Sequence, residues 1–258
     1  MKKGGLVILG GTAEGRQLAL ELCRRCPEKE IWVSVATGYG RALLEEGRPE
    51  NLRLQEGRLG QREMSAFLRQ GDFAAAVDAT HPYAQEVSEN LRLACQTAGI
   101  PCLVLRREAT PLTGCRMAAD IREAAQKCRE LPGPILLTTG AKELPAFCQE
   151  LGEPERVFPR VLPMEESLRQ CRLAGIPARQ IVAMQGPFSR ELNLALLRQL
   201  SIAILVTKDG GPAGGMPEKL LAAQEHGAEI VVVRRPPARG REYEAEALLE
   251  LLGKEGGE

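Results

Sequence analysis

A glycine-rich turn near the start of the chain has the residue types that bind phosphate. The segment ILGGTAEGRQLA, residues 8–19, is an apolar run that enters Gly10 and Gly11 and leaves as an amphipathic helix. Glycine permits tight backbone turns, and the N–H groups and dipole of a helix N-terminus attract anions. Thr12 stands at the second glycine of the usual G-x-G-x-x-G fingerprint, where bare backbone approaches a pyrophosphate. The segment therefore predicts a phosphate-binding turn with an added hydroxyl or, alternatively, a simple strand-to-helix turn.

The loop after the second apolar run bears on the choice of nucleotide. NAD-dependent enzymes commonly place Asp or Glu there to bind the ribose 2′-hydroxyl. Here the run 31–36 ends in Thr37 and Gly38, and Arg41 follows nearby. Hydroxyl and backbone donors without a carboxylate suit a 2′-phosphate, so the loop favours NADP; TGYG also has the composition of an ordinary turn.

A histidine-containing loop follows another apolar run. VDATHPYA, residues 77–84, places Thr80, His81 and Tyr83 around Pro82, which restrains the loop. His81 is predicted to face a ligand or, alternatively, to lie on the surface, whereas His226 in EHGAE is predicted to be exposed to solvent.

The second half of the chain has polar and cationic residues after its own apolar runs. TTGAK (138–142), QGPFS (185–189) and TKDGG (207–211) contribute the candidates Lys142, Gln185, Ser189, Lys208, Asp209, Gly210 and Gly211. A lysine in such a loop binds a carboxylate or donates a proton. The glycines allow close approach of a bulky ligand, or they mark a solvated loop.

These loops need strands and helices to position them. Apolar runs alternate with amphipathic segments along the chain, which predicts α/β architecture with parallel sheets covered on both faces. A turn-rich segment near residues 108–118 divides the series, so we expect two Rossmann-like domains, 1–112 and 113–258. Ligands bind beyond the carboxyl ends of such strands, so we expect a cleft between the domains.

Composition narrows the range of functions. The 258 residues carry 34 basic and 34 acidic side chains, which gives no net charge to attract nucleic acid or an anionic membrane. No apolar stretch approaches the roughly 18–20 residues that span a bilayer. Among the eight cysteines Cys23 and Cys26 form a C-x-x-C pair, but no second pair or neighbouring His completes a zinc site. We expect a cytoplasmic protein with reduced thiols and no metal.

Six motifs in sequence order resemble those of the precorrin-6A reductases of cobalamin biosynthesis, a family that includes the cobalt-precorrin-6A reductases. The motifs are ILGGTAEGR, VDATHPYA, IPCLVLRRE, TTGAKEL, QGPFS and TKDGG. They extend from about residue 6 to residue 235. The nucleotide turn of the family corresponds to residues 10–16, so Thr12 agrees with the family pattern.

The resemblance implies an oxidoreductase that acts on a CH–CH group and reduces one double bond of precorrin-6A, or of its cobalt form, to the 6B product. NADPH is the implied hydride donor, with NADH as the alternative. The implied cofactor-binding residues are Gly10, Gly11, Thr12, Ala13, Glu14, Gly15, Arg16, Thr37, Gly38, Thr80 and His81.

The substrate of this family is a tetrapyrrole that bears acetate and propionate groups, which gives the cations of the second half a function. The implied substrate-binding residues are Tyr83, Lys142, Gln185, Ser189, Lys208, Gly210 and Gly211. Lys208 with Asp209 is the first choice of proton donor, followed by His81, Tyr83 and solvent.

Two other functions remain open from the sequence. A non-catalytic NADP-sensing module would bind cofactor through the same turn and a protein partner through the second half. An S-adenosylmethionine-dependent methyltransferase also begins with a glycine-rich turn, but it normally has an acidic residue after the second strand. The oligomeric state and the presence of cobalt in the substrate are open.

Overall fold

A computed structural model describes residues 4–36, 38–238 and 240–253. These residues form two compact units. Unit 1 comprises the described parts of residues 1–107 and 236–258, and unit 2 comprises residues 108–235. Within these residues each unit contains one six-stranded parallel sheet, which confirms the predicted fold class.

Unit 1 is a doubly wound α/β domain. Its strands are β1 (Gly5–Leu9), β2 (Ile31–Val35), β3 (Leu52–Glu56), β4 (Phe73–Asp78), β5 (Cys102–Leu105) and β12 (Glu242–Tyr243). Its helices are α1 (Ala13–Arg25), α2 (Gly38–Glu45), α3 (Gln61–Gln70), α4 (Gln85–Ala98) and α10 (Ala245–Gly253). The spatial order β3-β2-β1-β4-β5-β12 is the Rossmann order, which reverses between β1 and β4.

The sequence explains why these elements form. The central strands β1 and β4 are continuous apolar runs that are buried on both faces, as parallel strands with helices on each side must be. On one face Leu6 and Ile8 pack with α1, and on the other Val7 and Leu9 pack with α3 and α4.

The end of the chain belongs to unit 1, which differs from the predicted division at residue 112. Strand β12 pairs in parallel with β5, so that Tyr243 lies beside Leu105. Helix α10 adds Leu248, Leu249 and Leu252 to the same core as α1 and β1. This burial of apolar surface is the physical reason that the segment returns to the first sheet.

Unit 2 repeats the strand order of unit 1. Its strands are β6 (Arg116–Ala118), β7 (Ile135–Leu137), β8 (Val157–Val161), β9 (Val182–Ala183), β10 (Ile204–Lys208) and β11 (Glu229–Val233). Its helices are α5 (Ile121–Arg129), α6 (Leu144–Leu151), α7 (Glu165–Leu173), α8 (Arg190–Gln199) and α9 (Met216–His226). The order β9-β8-β7-β10-β11-β6 again reverses between the first and fourth strands of a five-strand series, with β6 at the edge.

Both reversal points lie next to predicted site loops. In unit 1 the glycine turn follows β1 and the His81 loop follows β4. In unit 2 TTGAK follows β7, and Lys208 ends β10. Ligands of open α/β sheets bind at such positions. None of the helices in the described part of the chain has the length and apolarity to cross a membrane.

Candidate active site

The glycine turn of unit 1 is shaped by three different constraints. At Gly11 the backbone has φ +122°, a conformation that side chains rarely adopt, and no described atom lies within 4 Å of the place a Cβ would take. A Cβ on Gly15 would lie 2.9 Å from Ala79 Cβ, and one on Gly10 would lie 3.1 Å from Val33 Cγ1. Gly10 and Gly15 therefore allow close packing of the turn, and Gly11 leaves bare backbone beside open space.

Thr12 fixes this turn through both functions of its hydroxyl. The oxygen accepts a hydrogen bond from Gly15 N at 3.1 Å and thereby caps α1, and the hydroxyl donates to Ala79 O at 2.9 Å. The single O–H proton is thus used within the protein. The first N–H groups of α1, those of Ala13 and Glu14, bond to no described acceptor and point along the helix dipole, where an anion binds.

A buried arginine supports the same turn. The guanidinium of Arg107, whose side chain is 6% exposed, lies 2.8 Å from the carboxylate of Glu14 and 3.3 Å from Thr80 O. Glu14 would otherwise repel an anion at the start of α1. The ion pair neutralises that carboxylate and connects the end of β5 to the turns after β1 and β4.

The loop after β4 is held from within. The carboxylate of Asp78, which is buried, accepts hydrogen bonds from the backbone N–H of Thr80 at 3.0 Å and from its hydroxyl at 2.7 Å. His81 is exposed, and its ring lies 5.4 Å from the ring of the half-buried Tyr83. Asp78 and Thr80 therefore shape the loop, and His81 and Tyr83 are its outward groups.

The loop after β2 lies beside a group of ion pairs that was not predicted from the sequence. Thr37 lies outside the described residues, and Gly38 begins α2. The guanidinium of Arg41 bonds to Glu45 at 3.0 Å and to Glu56, at the end of β3, at 3.3 Å. Glu45 and Glu56 raise the pKa of Arg41. An acidic residue thus lies beside this loop, although it comes from the third strand.

In unit 2 an ion pair joins the two loops at the reversal point. Lys208 Nζ lies 2.9 Å from Glu143 Oε2. Glu143 follows the exposed Lys142 in the short 3-10 turn after β7, so TTGAKEL and TKDGG meet here. The Thr138 hydroxyl donates to Val206 O at 3.0 Å and holds the strand ends together.

Asp209 and the following glycines contact the end of β11. The carboxylate of Asp209 lies 3.3 Å from Arg235, which also donates to Glu108 O at 3.2 Å. Gly211 has φ +73°, and a Cβ there would lie 3.0 Å from Glu108 O. Gly211 thus permits a close backbone approach within unit 2, and Gly210 beside it is half-buried.

The QGPFS segment lies between β9 and α8. Gln185 is exposed, and the hydroxyl of Ser189 caps α8 by accepting a hydrogen bond from Leu192 N at 3.3 Å. A Cβ on Gly215 would lie 3.9 Å from Pro187 Cβ, so this segment approaches the glycine-rich loop after β10.

The structure therefore brings the candidates together within each unit. In unit 1 the turn of residues 10–16 and the loop of residues 80–83 meet through the Thr12 and Arg107 contacts. In unit 2 the Lys142, Lys208 and Asp209 loops adjoin, and the segment with Gln185 and Ser189 follows the edge strand β9 and approaches the loop after β10 through Pro187. The role of each residue stays a prediction.

Several charged residues were not predicted from the sequence as part of a site. Arg107 and Arg235 are each the second residue after an apolar strand, and Glu143 follows Lys142, so position after a strand could have indicated all three. Arg160 is a cation inside the strand VFPRV, and Lys219 lies one turn into α9; both contribute to a buried cluster described below. A charge inside an otherwise apolar strand was the available signal for Arg160.

The structure also describes His226, the cysteines and the groups that could bind a metal. The expectation that His226 is solvent-exposed is wrong, since its side chain is half-buried and Nε2 lies 3.0 Å from Ile202 O. The eight cysteines are free, and most of them are buried. Within the described ranges no three His, Cys, Asp or Glu side chains group as metal ligands would.

Comparison with known proteins connects this geometry to one family. The model of the family described as precorrin-6x reductase CbiJ/CobK matches residues 5–253. A cobalt-precorrin-6A reductase of Priestia megaterium is 33% identical over 235 residues, which cover 90% of each protein. A precorrin-6A reductase of Sinorhizobium sp is 32% identical and covers 92% of this chain and 88% of that protein. The solved structure titled CobK precorrin-6A reductase has a TM-score of 0.75 at 24% identity, with 98% of each chain covered, and shows the same fold.

Proposed function

The chain belongs to the precorrin-6x reductase family CbiJ/CobK, and we propose from this that it reduces precorrin-6A, or its cobalt complex, in cobalamin biosynthesis. A reduced nicotinamide supplies a hydride to one carbon of a double bond of the macrocycle, and a proton goes to the neighbouring carbon. The observation that carries the proposal is the turn after β1, where Gly11 and the start of α1 offer bare backbone donors at the point where the strand order reverses.

Unit 1 holds the nicotinamide cofactor in this proposal. The N–H groups of residues 11–14 bind the pyrophosphate, and Thr12 keeps the turn in shape through its contacts with Gly15 and Ala79. Thr80 and His81 border the same edge of the sheet. The pairing of Glu14 with Arg107 keeps a carboxylate in the first turn of α1 from opposing the phosphates.

NADPH is the proposed donor, with NADH as the alternative. A 2′-phosphate would lie near the loop after β2 and would draw Arg41 away from Glu45 and Glu56. A 2′-hydroxyl would instead donate a hydrogen bond to the Glu56 carboxylate. Arg41→Gln therefore separates the two, because it weakens binding of NADPH and leaves binding of NADH unchanged.

Unit 2 supplies substrate contacts and the proton. Lys142 and Lys208 attract the acetate and propionate groups of the macrocycle, and Gln185, Ser189, Gly210 and Gly211 add further proposed contacts from the same unit. Tyr83 is the substrate contact proposed for unit 1. Lys208 is the preferred proton donor because it ends β10 at the reversal point of unit 2, where its ammonium group lies 2.9 Å from the Glu143 carboxylate. Asp209 is proposed to act beside Lys208 through its pairing with Arg235, and His81 is the second choice of proton donor.

The greater part of the rate enhancement is expected from positioning. Holding the reactive carbon of the nicotinamide against the target carbon converts a bimolecular step into a unimolecular one. Protein acid catalysis adds a smaller factor. We expect the reaction to take place in the cytoplasm, and the predicted cleft between the domains stays a prediction.

The test is a direct assay with both forms of the macrocycle. Purified protein is mixed with NADPH and with either precorrin-6A or cobalt-precorrin-6A, and the nicotinamide absorbance is followed. Loss of one NADPH for each macrocycle reduced is the expected result with at least one form. Tight NADPH binding without oxidation by either form would contradict the proposal and favour the NADP-sensing module.

A further inference from the structure

A group of buried polar and cationic side chains lies in unit 2, separate from the Lys208 ion pair. We define the cationic cluster as Arg160, Lys219, Asn193 and Thr207. The register pairs Leu137 with Pro159 and with Val206, so the next residues, Arg160 on β8 and Thr207 on β10, share one face of the sheet. Helices α8 and α9, which carry Asn193 and Lys219, cover this face.

Arg160 is buried without a counter-ion. It is 7% exposed, its guanidinium donates to Asn193 Oδ1 at 2.7 Å, and it lies 4.3 Å from the centre of the Phe188 ring. No carboxylate among the described residues lies within ion-pair distance of it. Asn193 is held in this orientation because its amide N–H groups donate to Phe188 O and Ser189 O.

Lys219 adds a second cation to the cluster. Its ammonium group donates to the Thr207 hydroxyl at 3.1 Å. Burial lowers the pKa of Lys219 to about 8, and the charge of Arg160 acts in the same direction. Glu218 opposes this shift, but no ion pair joins it to Lys219 in the described part of the chain.

The buried Arg107 and the half-buried Arg156 and Arg235 are arranged differently. Arg107 lies against Glu14, Arg235 against Asp209, and Arg156 against Glu153. Burying an unpaired cation is unfavourable because its hydration is lost, and two such cations close together repel each other. An anion between them would remove both penalties, so the cluster is better suited to an anionic ligand than to the protein alone.

We propose that Arg160 and Lys219 bind one carboxylate arm of the macrocycle substrate, with Asn193 and Phe188 holding the guanidinium in position. This inference rests on the proposed function. A guanidinium fork matches a carboxylate, and an ammonium group beside it adds charge without a fixed direction. The inference also gives a role to QGPFS, because Phe188 covers Arg160 and Ser189 caps the helix that carries Asn193.

The experiment compares Arg160→Gln, Arg160→Lys and Lys219→Met with the wild type. Arg169→Gln is the matched control, since Arg169 lies in the same unit, is exposed and is paired with Glu166. Removing one partner of a buried charge pair typically weakens binding by about 30-fold or more. We expect Arg160→Gln to raise the KM for the macrocycle by that factor, with little change in kcat or in the Kd for NADPH. Arg160→Lys should restore part of the affinity for the macrocycle.

A second measurement does not depend on turnover. Acetate, propionate and inorganic phosphate are added separately, and the melting temperature of each variant is recorded. Carboxylates should raise the melting temperature of the wild type and of Arg169→Gln but not of Arg160→Gln. Stabilisation by phosphate alone would overturn the assignment to a carboxylate.

The two measurements separate the failure of this inference from that of the proposed function. Wild-type turnover with an unchanged macrocycle KM in both Arg160→Gln and Lys219→Met would overturn the inference and leave the function standing. A change confined to the Kd for NADPH would overturn it in favour of a cofactor contact. Stabilisation by carboxylates through Arg160, without turnover of either macrocycle, would keep the anion site and refute the reductase.

Discussion

Both units use one strand order, but the groups that we propose to bind anions are of different kinds in the two units. In unit 1 the donors are backbone N–H groups at the start of α1, and the buried Arg107 is neutralised by Glu14. In unit 2 the positive charges of Arg160 and Lys219 act on each other, and neither side chain is paired with a described carboxylate. A shared topology thus fixes where a ligand binds and leaves the chemistry of recognition to a few side chains.

The difference suits the two ligands of the proposed reaction. Backbone donors have fixed positions, which favours the constant pyrophosphate of a nucleotide. Side-chain cations have flexible stems and adapt to carboxylates carried on rotatable arms. We therefore expect substitutions in unit 1 to change cofactor affinity and substitutions in unit 2 to change macrocycle affinity.

The largest expected effect is that of Thr12→Glu. A carboxylate at this position would repel the phosphates and would also lose the hydroxyl contact with Ala79. The Kd for NADPH, measured by fluorescence titration, should rise by about 100-fold or more. Gln17→Glu is the control, because it adds the same charge at an exposed position further along α1. An unchanged Kd in Thr12→Glu would remove the turn from the cofactor site.

The next effect is that of Arg107→Gln. The change leaves the Glu14 carboxylate without its partner at the start of α1, so the Kd for NADPH should rise by about 10-fold. Adding Glu14→Gln should restore most of the affinity. Equal loss in the single and double variants would show that Arg107 acts on the fold rather than through the charge of Glu14.

Lys208→Met tests the ion pair between Lys208 and Glu143 at the reversal point of unit 2. It removes the cation paired with Glu143, and kcat/KM for the macrocycle should fall by about 5- to 10-fold. Lys127→Met, which removes a half-buried lysine paired with Glu123 away from the reversal point, is the control. Full activity of Lys208→Met would exclude this residue as an essential proton donor.

A further expected effect is a pH dependence of substrate binding, which develops only as the pH rises through about 8. The folded-state pKa of Lys219 is about 8, below its usual 10.5, so its charge is lost as the pH rises through 8. Arg160, Thr207 and Glu218 are the groups that act on it. The macrocycle KM should increase above pH 8 by up to about 10-fold per unit, and this increase should be absent in Lys219→Met.

The lowered pKa of Lys219 should raise the stability of the folded protein as the pH increases, although it weakens substrate binding. Between about 8 and 10.5 the unfolded chain binds more protons at Lys219 than the folded chain does. This group therefore adds to the free energy of unfolding as the pH rises through that interval. Denaturant unfolding of the wild type and of Lys219→Met across the interval checks the sign, and a steeper rise in Lys219→Met would contradict it.

The sequence predicted the central strands and the loops that follow them because continuous apolar runs ended in Gly, Pro and charged residues. It did not predict β6 and β12, which have three and two residues, since such short edge strands leave no periodic pattern. Helix α10 is amphipathic, but only the folded chain shows that its leucines complete the core of unit 1.

The candidate site was predictable in part for the same reason. Loops after strands could be found, but pairings such as those of Arg41 with Glu56 and Asp209 with Arg235 join distant residues. Such contacts are set by the register of the sheet and by side-chain length. The cationic cluster escaped because burial of Arg160 cannot be inferred from its residue type.

The return of the chain to unit 1 has a consequence for the order of folding during synthesis. Arg106 bonds to Glu244, 138 residues later, beside the pairing of β5 with β12. Unit 2 is made of one continuous segment and can fold as it leaves the ribosome. Unit 1 must wait for the last leucines of α10, so the emerging chain completes its proposed cofactor domain only after the substrate-binding unit has been translated.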